Sequence, residues 1–329
     1  ANGDDSFTYT ITQAGKTSSA TVEVLISAVN DAPVINAAST LQIDENSTSV
    51  ATISVSDVDN DDITLSLGGT DASSFTLSSS NVLSFKTAPD YETKSKYYLT
   101  FSLSDGAETV TKDITISVNN INDIAPLITS VKTYTINENT SAIGTVTSSD
   151  ADGVTVFTYS ILSSGDGSLV SINSSTGLLS LKSNADYETK TSYSFNVAVS
   201  DGVNSTSEAF TINIINLNDN SPVISSSATQ SVSEFSKTIG SVTSTDADGD
   251  SLTYSLSGTS ASFLNLSSSG VLSLKSDADY EARTSYSIIV TVSDGTNSTS
   301  QTITINVINN TFDDISIPDK LNLVETQEE

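Results

Sequence analysis

Aspartate and glutamate are the residues of this sequence whose types and spacing could do chemistry. The chain has 329 residues and contains 40 of them against 12 Lys and Arg, which gives a formal net charge of -28. They recur in short blocks: Asp-Glu-Asn at 44–46, Asp-Val-Asp at 57–59, Asp-Tyr-Glu at 90–92 and Ser-Asp-Gly at 104–106. Carboxylates grouped in this way can bind divalent cations or act as paired acids and bases in catalysis.

Most other catalytic groups are missing from the composition. The sequence contains no His, Cys, Met or Trp. It therefore lacks the commonest general base, the commonest zinc ligand, every thiol and every disulfide. The acidic charge would repel nucleic acid phosphates and anionic lipids over the whole surface. Composition thus favours cations as partners, predicts no nucleic acid partner and argues against an enzyme.

Internal repetition organises the chain. Corresponding residues recur 93 to 96 positions apart in the same order, which is the signature of a tandem array. The recurring sets are Pro33, Pro126 and Pro222; Glu45, Glu138 and Glu234; and Asp90, Asp186 and Asp279. Three units of this length predict three small domains in a row.

The apolar residues inside each unit alternate with polar ones. Tyr97, Leu99, Phe101 and Leu103 are the clearest run, and matching runs occur in the other two units. A period of two indicates half-buried antiparallel strands, and no segment has a convincing helical period. The predicted fold class is all-β, with tandem seven-stranded β-sandwiches in a linear array.

The repeat also predicts the domain boundaries. Residues 1–29 read as the C-terminal strands of a preceding β-sandwich domain. Three β-sandwich domains follow at 30–122, 123–218 and 219–309, and residues 310–329 are the start of a following domain or a disordered tail. No signal peptide, sorting tail or membrane-spanning run is visible, so we expect a monomeric segment of a longer protein with no membrane insertion of its own.

Strand parity predicts where the acidic blocks lie. If each unit has seven antiparallel strands, successive turns alternate between its two ends, and each junction collects acids from both neighbours. At the first junction these acids are Glu45, Asp90, Glu92, Asp123, Asp150, Asp152 and Asp201. Seven negative charges are nearly balanced by three divalent cations, and Ca²⁺ accepts irregular oxygen coordination better than Mg²⁺. We therefore expect about three Ca²⁺ ions at each complete junction.

The blocks Glu-Asn, Asp-x-Asp, Asp-x-Glu, Asn-Asp-x-x-Pro and Ser-Asp-Gly occur in the cadherin family's order, and they closely resemble those of that family over nearly the whole chain. The resemblance implies that the three domains are cadherin-like, with Greek-key sandwiches of the cadherin or Ig-like type, and it implies calcium ligands at three junctions. The front junction would use Asn30, Asp31, Asp57, Asp59 and Asp105; the first complete one Glu45, Asp90, Glu92, Asn120, Asn122, Asp123, Asp150, Asp152 and Asp201; and the second Glu138, Asp186, Glu188, Asn216, Asn218, Asp219, Asp246, Asp248 and Asp294. The corresponding acids of the last unit are Glu234, Asp279 and Glu281.

The sequence departs from the family pattern at several positions. Tyr91, Tyr187 and Tyr280 replace the usual Arg of the Asp-Arg-Glu block, and we expect their rings to turn toward the core. After the third unit the linker reads Asn-Asn-Thr-Phe-Asp-Asp at 309–314, which lacks the pattern of a full site. No Trp is available for the strand exchange by which classical cadherins adhere.

The sequence is compatible with more than one function. The leading one is a calcium-rigidified structural spacer of an adhesin that is secreted to the extracellular cell surface of a bacterium, with neighbouring domains of the same chain as partners. The alternative is direct adhesion, through glycan or homophilic binding by one domain, for which Tyr98 is the clearest outward aromatic. An EF-hand at 246–257 is rejected because its twelfth position is Ser257, and a glycosidase would need a cleft that the pattern does not place.

Overall fold

The computed structural model describes residues 3–27 and 29–311, and these residues form β-strands with three single-turn 3-10 helices and no α-helix. The all-β prediction is confirmed. The chain divides into two compact units, one made of residues 1–129, 147–158 and 199–206, and the other of residues 130–146, 159–198 and 207–329. These two compact units, called the first and second unit from here on, do not coincide with the three sequence repeats. Within the described residues no helix is long and apolar enough to cross a membrane.

The strands follow one another at short intervals. In the first unit lie β1 (Gly3–Gln13), β2 (Lys16–Ile26), β3 (Val34–Asn36), β4 (Thr40–Asp44), β5 (Ser49–Thr52), β6 (Ser54–Ser56), β7 (Thr64–Gly68), β8 (Phe75–Leu77), β9 (Val82–Phe85), β10 (Lys96–Ser104), β11 (Thr109–Asn119), β12 (Leu127–Ile128) and β15 (Ser148–Ser149). In the second lie β13 (Thr133–Asn137), β14 (Ala142–Thr145), β17 (Val170–Ile172), β18 (Leu178–Leu181), β21 (Val223–Ile224), β22 (Thr229–Ser233), β23 (Thr238–Ser241), β24 (Ser244–Thr245), β25 (Thr253–Ser257), β26 (Leu264–Leu266), β27 (Val271–Leu274), β28 (Ser285–Ser293) and β29 (Ser298–Ile308). Residues of β16 (Thr158–Ile161), β19 (Ser192–Ser200) and β20 (Ser205–Ile215) belong to both units, and the 3-10 helices are Ala72–Ser74, Gly167–Leu169 and Ala261–Phe263.

The first two strands form a long antiparallel hairpin. Gly3 pairs with Ile26 and Gln13 with Lys16 around a turn at Ala14 and Gly15, both of which have positive φ. All residues of β2 are exposed. Strands at this end of the chain were predicted, and their assignment to a preceding domain stays a prediction.

Residues 34–119 form a β-sandwich in the first unit. One sheet has the strand order β4-β11-β10-β7, and the strands β5-β9-β8 and β3-β6 form smaller sheets. Inward residues of these sheets share one core, in which Leu83, Phe101 and Ile116 are fully buried. The rings of Phe75 and Phe85 lie 4.1 Å apart, which adds an aromatic contact to the area buried. The sequence predicted that the alternating apolar residues of β10 face a core, and this is confirmed, since Leu99, Phe101 and Leu103 are buried in it.

Residues 223–308 repeat this arrangement in the second unit. The larger sheet has the order β22-β29-β28-β25, and β23-β27-β26 and β21-β24 form the smaller sheets. Ile288, Val290, Ile303 and Ile305 are fully buried in its core. The strands that lie between residues 119 and 223 in the sequence pair in the same way. In the first unit β12 pairs with β15; in the second unit β13 pairs with β20, and β18 pairs with both β14 and β17.

The prediction that all strands of a repeat pair in antiparallel fashion was wrong for one pair of strands. The first long strand of each repeat pairs in parallel with the last, as β4 does with β11 from Thr40–Thr115 to Asp44–Asn119, and as β22 does with β29. The sheets are therefore mixed, because the opening segment of the repeat is split into β3 and β4 and its second half changes sheet. The predicted following segment at 310–329 lies almost wholly outside the described residues.

Candidate metal centres

The turn after β4 places a buried carboxylate at one end of the first sandwich. Glu45 is only 2% exposed. Its Oε1 accepts the backbone N–H of Ile121 at 2.8 Å, and its Oε2 accepts that of Tyr91 at 2.8 Å. A buried charge needs such donors to offset its loss of water. Glu45 therefore ties the segment after β11 to the segment before β10.

The acidic turn before β10 is closed by its own hydrogen bonds. Lys94 N–H donates to the carbonyl of Asp90 at 2.9 Å, which completes one helical turn. Both Asp90 carboxylate oxygens accept from Thr93, one from its N–H at 3.0 Å and one from its hydroxyl at 2.9 Å, and these bonds hold the Asp90 pKa below its usual value. Asp90 thus caps the turn, and the turn presents Glu92.

Four carboxylates converge beside this turn. Glu45, Glu92, Asp123 and Asp152 each place an oxygen within 4.8 Å of the others. The amide of Asn46, whose φ is +62°, donates to Asp123. The pKa of Glu92 is raised by loss of water around it and then by the nearby charges of Glu45 and Asp152. These like charges repel one another strongly unless a cation lies among them.

Amide and carboxylate oxygens extend this first cluster. Asn120 donates its side-chain N–H to the carbonyl of Asp152 at 2.9 Å. The Asn122 side-chain oxygen faces Asp152 Oδ2 at 3.3 Å and Asp201 Oδ2 at 3.0 Å. A rotated amide would donate to both carboxylates, whereas a shared cation would satisfy all three oxygens as they stand. Asp150 supports the turn by accepting the N–H of Asp152 at 2.9 Å.

The second unit contains an equivalent cluster. Glu138, Glu188, Asp219 and Asp248 again place oxygens within 4.8 Å of one another. Glu138 is 2% exposed and accepts the N–H groups of Tyr187 and Leu217 at 2.8 and 2.7 Å. This geometry copies that of Glu45, because each repeat ends its first long strand at the same point.

Burial and hydrogen bonds shift the pKa values of two acids in this second cluster, Glu188 and Asp248. Loss of water and contact with Asp248 raise the pKa of Glu188. Burial acts in the same direction on Asp248, but hydrogen bonds from the side chain and N–H of Asn220 outweigh it and lower the Asp248 pKa. Asn216 donates to the carbonyl of Asp248 at 2.8 Å, and Asn218 to that of Asp294 at 3.3 Å.

A smaller acidic group lies in the turn between β6 and β7 of the first sandwich. Asp57, Asp59 and Asp61 bring oxygens within 4.8 Å of one another. Asn30 donates to Asp105 Oδ2 at 3.0 Å, and the N–H of Asp31 donates to Asp59 Oδ2 at 2.7 Å. The pKa of Asp61 is raised by loss of water and by its acidic neighbours.

The last repeat has a three-membered group made of Glu234, Asp279 and Glu281. Glu234 accepts the N–H groups of Tyr280 and Asn310 at 2.9 Å each, which lowers its pKa. Phe235 occupies the left-handed position held by Asn46 and Asn139 in the other repeats, with φ of +63°. This position therefore has no side-chain amide to donate to a neighbouring carboxylate.

Buried oxygens without donors test whether these groups fit a cation. Among the described residues, Oδ2 of Asp57, Asp150, Asp246 and Asp294, Oδ1 of Asp152 and Oδ1 of Asn216 are buried and accept no hydrogen bond. An unpaired buried carboxylate oxygen is costly, and a cation removes the cost. The donor set is all oxygen, with no thiolate or imidazole, so the residues fit Ca²⁺ rather than a soft metal.

The structure brings most of the predicted ligands together, with differences. Asp90 and Asp186 are not members of the four-acid clusters, and both oxygens of each accept hydrogen bonds from Thr93 and Thr189 respectively. The ring of Tyr91 was predicted to turn inward, and that was wrong, since Tyr91 is 37% exposed. Tyr280 does pack partly against its core.

Sequence reasoning missed Asp61 and Asp250, which extend the Asp-x-Asp blocks by one more alternate acid. That alternation is visible in the sequence and could have been used. It also missed Asn204, whose side chain donates to the carbonyl of Asn122 at 3.3 Å, and Asn297, which does the same for Asn220 at 3.4 Å. Both stand three residues after the Asp of a Ser-Asp-Gly block and 93 positions apart, so the repeat contains a signal that could have been used.

Family models match three consecutive segments of the chain. The bacterial Ig domain (Big_9) matches residues 30–117 and 218–307, which together are more than half of the chain, and the cadherin domain matches residues 132–216. The chain therefore belongs to the bacterial Ig domain family and carries two such domains in tandem with a cadherin domain. The resemblance to cadherins stated above is confirmed.

Curated relatives with similar sequences are long cadherins. Protocadherin Fat 4 of Mus musculus is 30% identical over 85% of this chain, and human Protocadherin Fat 4 is 30% identical over 62% of it. Human Cadherin EGF LAG seven-pass G-type receptor 2 is 29% identical over 57%. The chain spans only 4 to 7% of the lengths of these relatives.

Solved structures with similar folds are cadherin repeats. The Protocadherin GammaB4 extracellular domain superposes with a TM-score of 0.70 at 22% identity, over 92% of this chain and 54% of that one. Mouse Cadherin-23 EC22-24 gives 0.68 at 21% identity, over 85% and 99% of the two chains. These likenesses extend the fold assignment to tandem cadherin-like sandwiches. The segment is thus a set of tandem cadherin-like domains, a class of domains that are not enzymes.

Proposed function

We propose that this segment is a structural spacer that calcium stiffens, and that it projects an adhesive module from a bacterial surface. The observation that carries the proposal is the pair of four-acid clusters, each of which contains residues from two successive repeats. Without cations each cluster would push its members apart. With cations the same charges hold two successive repeats in one orientation.

The chain's own residues would do two things at each cluster. Glu45 and Glu138 hold the acidic turn and the linker in place through backbone N–H groups. Asp152 and Asp248 bring the next repeat to the cluster by accepting N–H groups of the linker, from Ile124 at 2.8 Å and from Asn220 at 2.8 Å. Bound calcium would neutralise the carboxylates and share their free oxygens. We propose about three ions at each cluster.

We also propose the domain boundaries 30–122, 123–218 and 219–309. The three family matches support them, since each match lies almost wholly within one of these ranges. Bacterial origin is part of the proposal as well, and it rests on the Ser- and Thr-rich, Cys-free composition together with the Bacterial Ig domain matches.

Isothermal calorimetry of calcium into the chelated protein tests this proposal. We expect about six or more ions in two groups. The variant Asp152→Ala should lose the ions of the first cluster and keep those of the second, while Asp248→Ala should do the reverse. Little or no calcium binding, or equal loss at both clusters from either substitution, would contradict the proposal.

Small-angle scattering tests the mechanical part separately. Calcium should give a narrow distribution with a larger maximum dimension, and chelation should broaden it as the repeats reorient. Magnesium at the same concentration serves as the control, because it demands a tighter octahedral geometry. An unchanged scattering profile with calcium and with chelator would reject stiffening even if ions bind.

A second candidate function is direct glycan binding by the first repeat. Tyr98 is 55% exposed and lines a groove of about 510 Å³ together with Gly69, Thr100 and Asp113. Exposed aromatic rings stack on sugar rings, and Asp113 offers a carboxylate to sugar hydroxyls beside Thr100, which donates to it at 2.7 Å. The third repeat has Ser287 at the position of Tyr98.

Titration with maltohexaose and cellohexaose, followed by NMR, tests this second candidate. Neutral oligosaccharides are chosen because the acidic surface would repel charged ones. We expect weak binding, on the order of a millimolar, that shifts the Tyr98 amide and is lost in Tyr98→Ser. Tyr9→Ser, at another exposed tyrosine, is the control, and absence of shifts with both sugars would exclude the site for these ligands.

A further inference from the structure

In each repeat one basic side chain follows the acidic turn at a fixed distance. Lys94, Lys190 and Arg283 stand four residues after the first Asp of the turn, and each donates its backbone N–H to that residue's carbonyl at 2.9 Å. The turn presents Glu92, Glu188 or Glu281 to the acidic groups described above. The basic residue is therefore the one whose N–H closes the acidic turn.

The side chain of Lys94 reaches the sandwich at a second point. Its Nζ lies 2.5 Å from Oδ1 of Asp71, the residue that precedes the 3-10 helix Ala72–Ser74, and 4.6 Å from the ring centre of Tyr97. Asp71 is 8% exposed and also binds Tyr98: its Oδ2 accepts the N–H of Tyr98 at 2.8 Å, and its backbone N–H donates to the carbonyl of Tyr98 at 3.1 Å. The ion pair thus joins the acidic turn to the 3-10 helix and to β10.

The middle repeat contains the same arrangement. Lys190 Nζ lies 3.0 Å from Asp166 Oδ1 and 5.4 Å from the ring centre of Tyr193. Asp166 accepts the N–H of Ser194 at 2.8 Å and donates its own N–H to the Ser194 carbonyl at 2.8 Å. The pair therefore occurs in both repeats whose acidic turn belongs to a four-acid cluster.

The last repeat differs at the acidic partner. Ser260 stands where the other repeats have Asp, and Arg283 reaches its hydroxyl at 3.4 Å while lying 4.4 Å from the ring centre of Phe263. A neutral hydroxyl holds a cation less strongly than a carboxylate does. The weaker link accompanies the smaller group of three acids at this end.

We propose that Lys94 and Lys190 are positioning residues of the calcium sites, because they hold the acidic turn in its metal-binding form before an ion arrives. This inference rests on the proposed function. A turn that is already ordered loses less conformational freedom on binding, so the ion pair raises calcium affinity without touching the ion. Each lysine acts on the cluster of its own repeat and leaves the other unchanged.

The test follows the backbone amides of Tyr91 and Tyr187 by NMR while calcium is added to the full chain. These N–H groups donate to Glu45 and Glu138, so each reports on one cluster. Lys94→Met should weaken calcium binding seen at Tyr91 about tenfold and leave Tyr187 unchanged, and Lys94→Arg should restore most of the affinity. In the chelated protein, amides of residues 90–94 should exchange faster in Lys94→Met than in the wild type.

Lys86→Met is the matched control. Lys86 Nζ binds the carbonyl of Ser73 in the same 3-10 helix at 2.7 Å but lies outside the acidic turn. It should change stability without changing calcium affinity at Tyr91. An equal loss of affinity in Lys86→Met, or equal losses at Tyr91 and Tyr187 in Lys94→Met, would assign the lysine to general fold stability and overturn the inference. If neither amide of the wild type responds to calcium, the proposed function fails and the inference falls with it.

Discussion

Replacement of Glu45 by Ala should destabilise the first repeat by about 3 kcal/mol and abolish calcium binding at the first cluster. The Glu45 side chain is 2% exposed, and its two oxygens accept the N–H groups of Tyr91 and Ile121. A hydrogen bond to a charged group contributes about 1.5–3 kcal/mol to stability, and Glu45→Ala removes two of them together with the carboxylate as a ligand. Urea unfolding of the chelated protein measures the first effect, and calorimetry with calcium measures the second.

Two variants separate these effects. Glu45→Gln keeps an oxygen for one N–H group but loses the charge, so it should recover part of the stability and little of the calcium binding. Asp44→Ala removes the neighbouring acid, which accepts a hydrogen bond from the side chain of Asn119 at 2.9 Å, and should change stability by less than about 1 kcal/mol. If Glu45→Ala is no more harmful than Asp44→Ala, Glu45 does not organise the cluster.

Removal of calcium should lower the unfolding free energy of the whole segment. A ligand that binds only the folded chain at a hundred times its dissociation constant adds about 2.7 kcal/mol for each independent site. The clustered carboxylates are brought together only by folding, so the unfolded chain should bind calcium weakly. Thermal unfolding over a range of calcium concentrations, with chelator as the lower limit, measures the effect.

Hydrogen exchange shows where the loss occurs. Amides of the acidic turns and linkers should lose protection on chelation before those of core residues such as Phe101 and Ile116, because the cores are closed by apolar packing that needs no ion. Magnesium should restore less protection than calcium. A melting temperature that does not change with calcium would contradict the spacer mechanism.

Much of the fold could be predicted because the repeat displays it three times. Alternation in β10 identified the inward residues Leu99, Phe101 and Leu103, all of which are buried. The parallel pairing of β4 with β11 could not be predicted, since alternation of side chains is the same in parallel and antiparallel strands. Strand direction is set by which partner lies alongside, and that is not local information.

The candidate sites were predictable to a similar degree. Glu45, Glu92, Asp123 and Asp152 were assigned from their blocks and lie together. Asp90 was assigned to the same site, and that assignment stays a prediction; its hydrogen bonds from Thr93 are a local detail that block spacing does not reveal. The roles of Asp71 and Lys94 were also hidden, because their 23 positions of separation follow no motif.

The parallel pairing of β4 with β11 has a mechanical consequence. β4 lies near the start of the first repeat and β11 is its last strand, so tension applied to the two ends of the repeat would pull them in opposite directions along their length. Five successive residue pairs, from Thr40–Thr115 to Asp44–Asn119, would then share the load at once and slide rather than separate one after another. The same register in β22 and β29 gives the last repeat the same resistance to stretching.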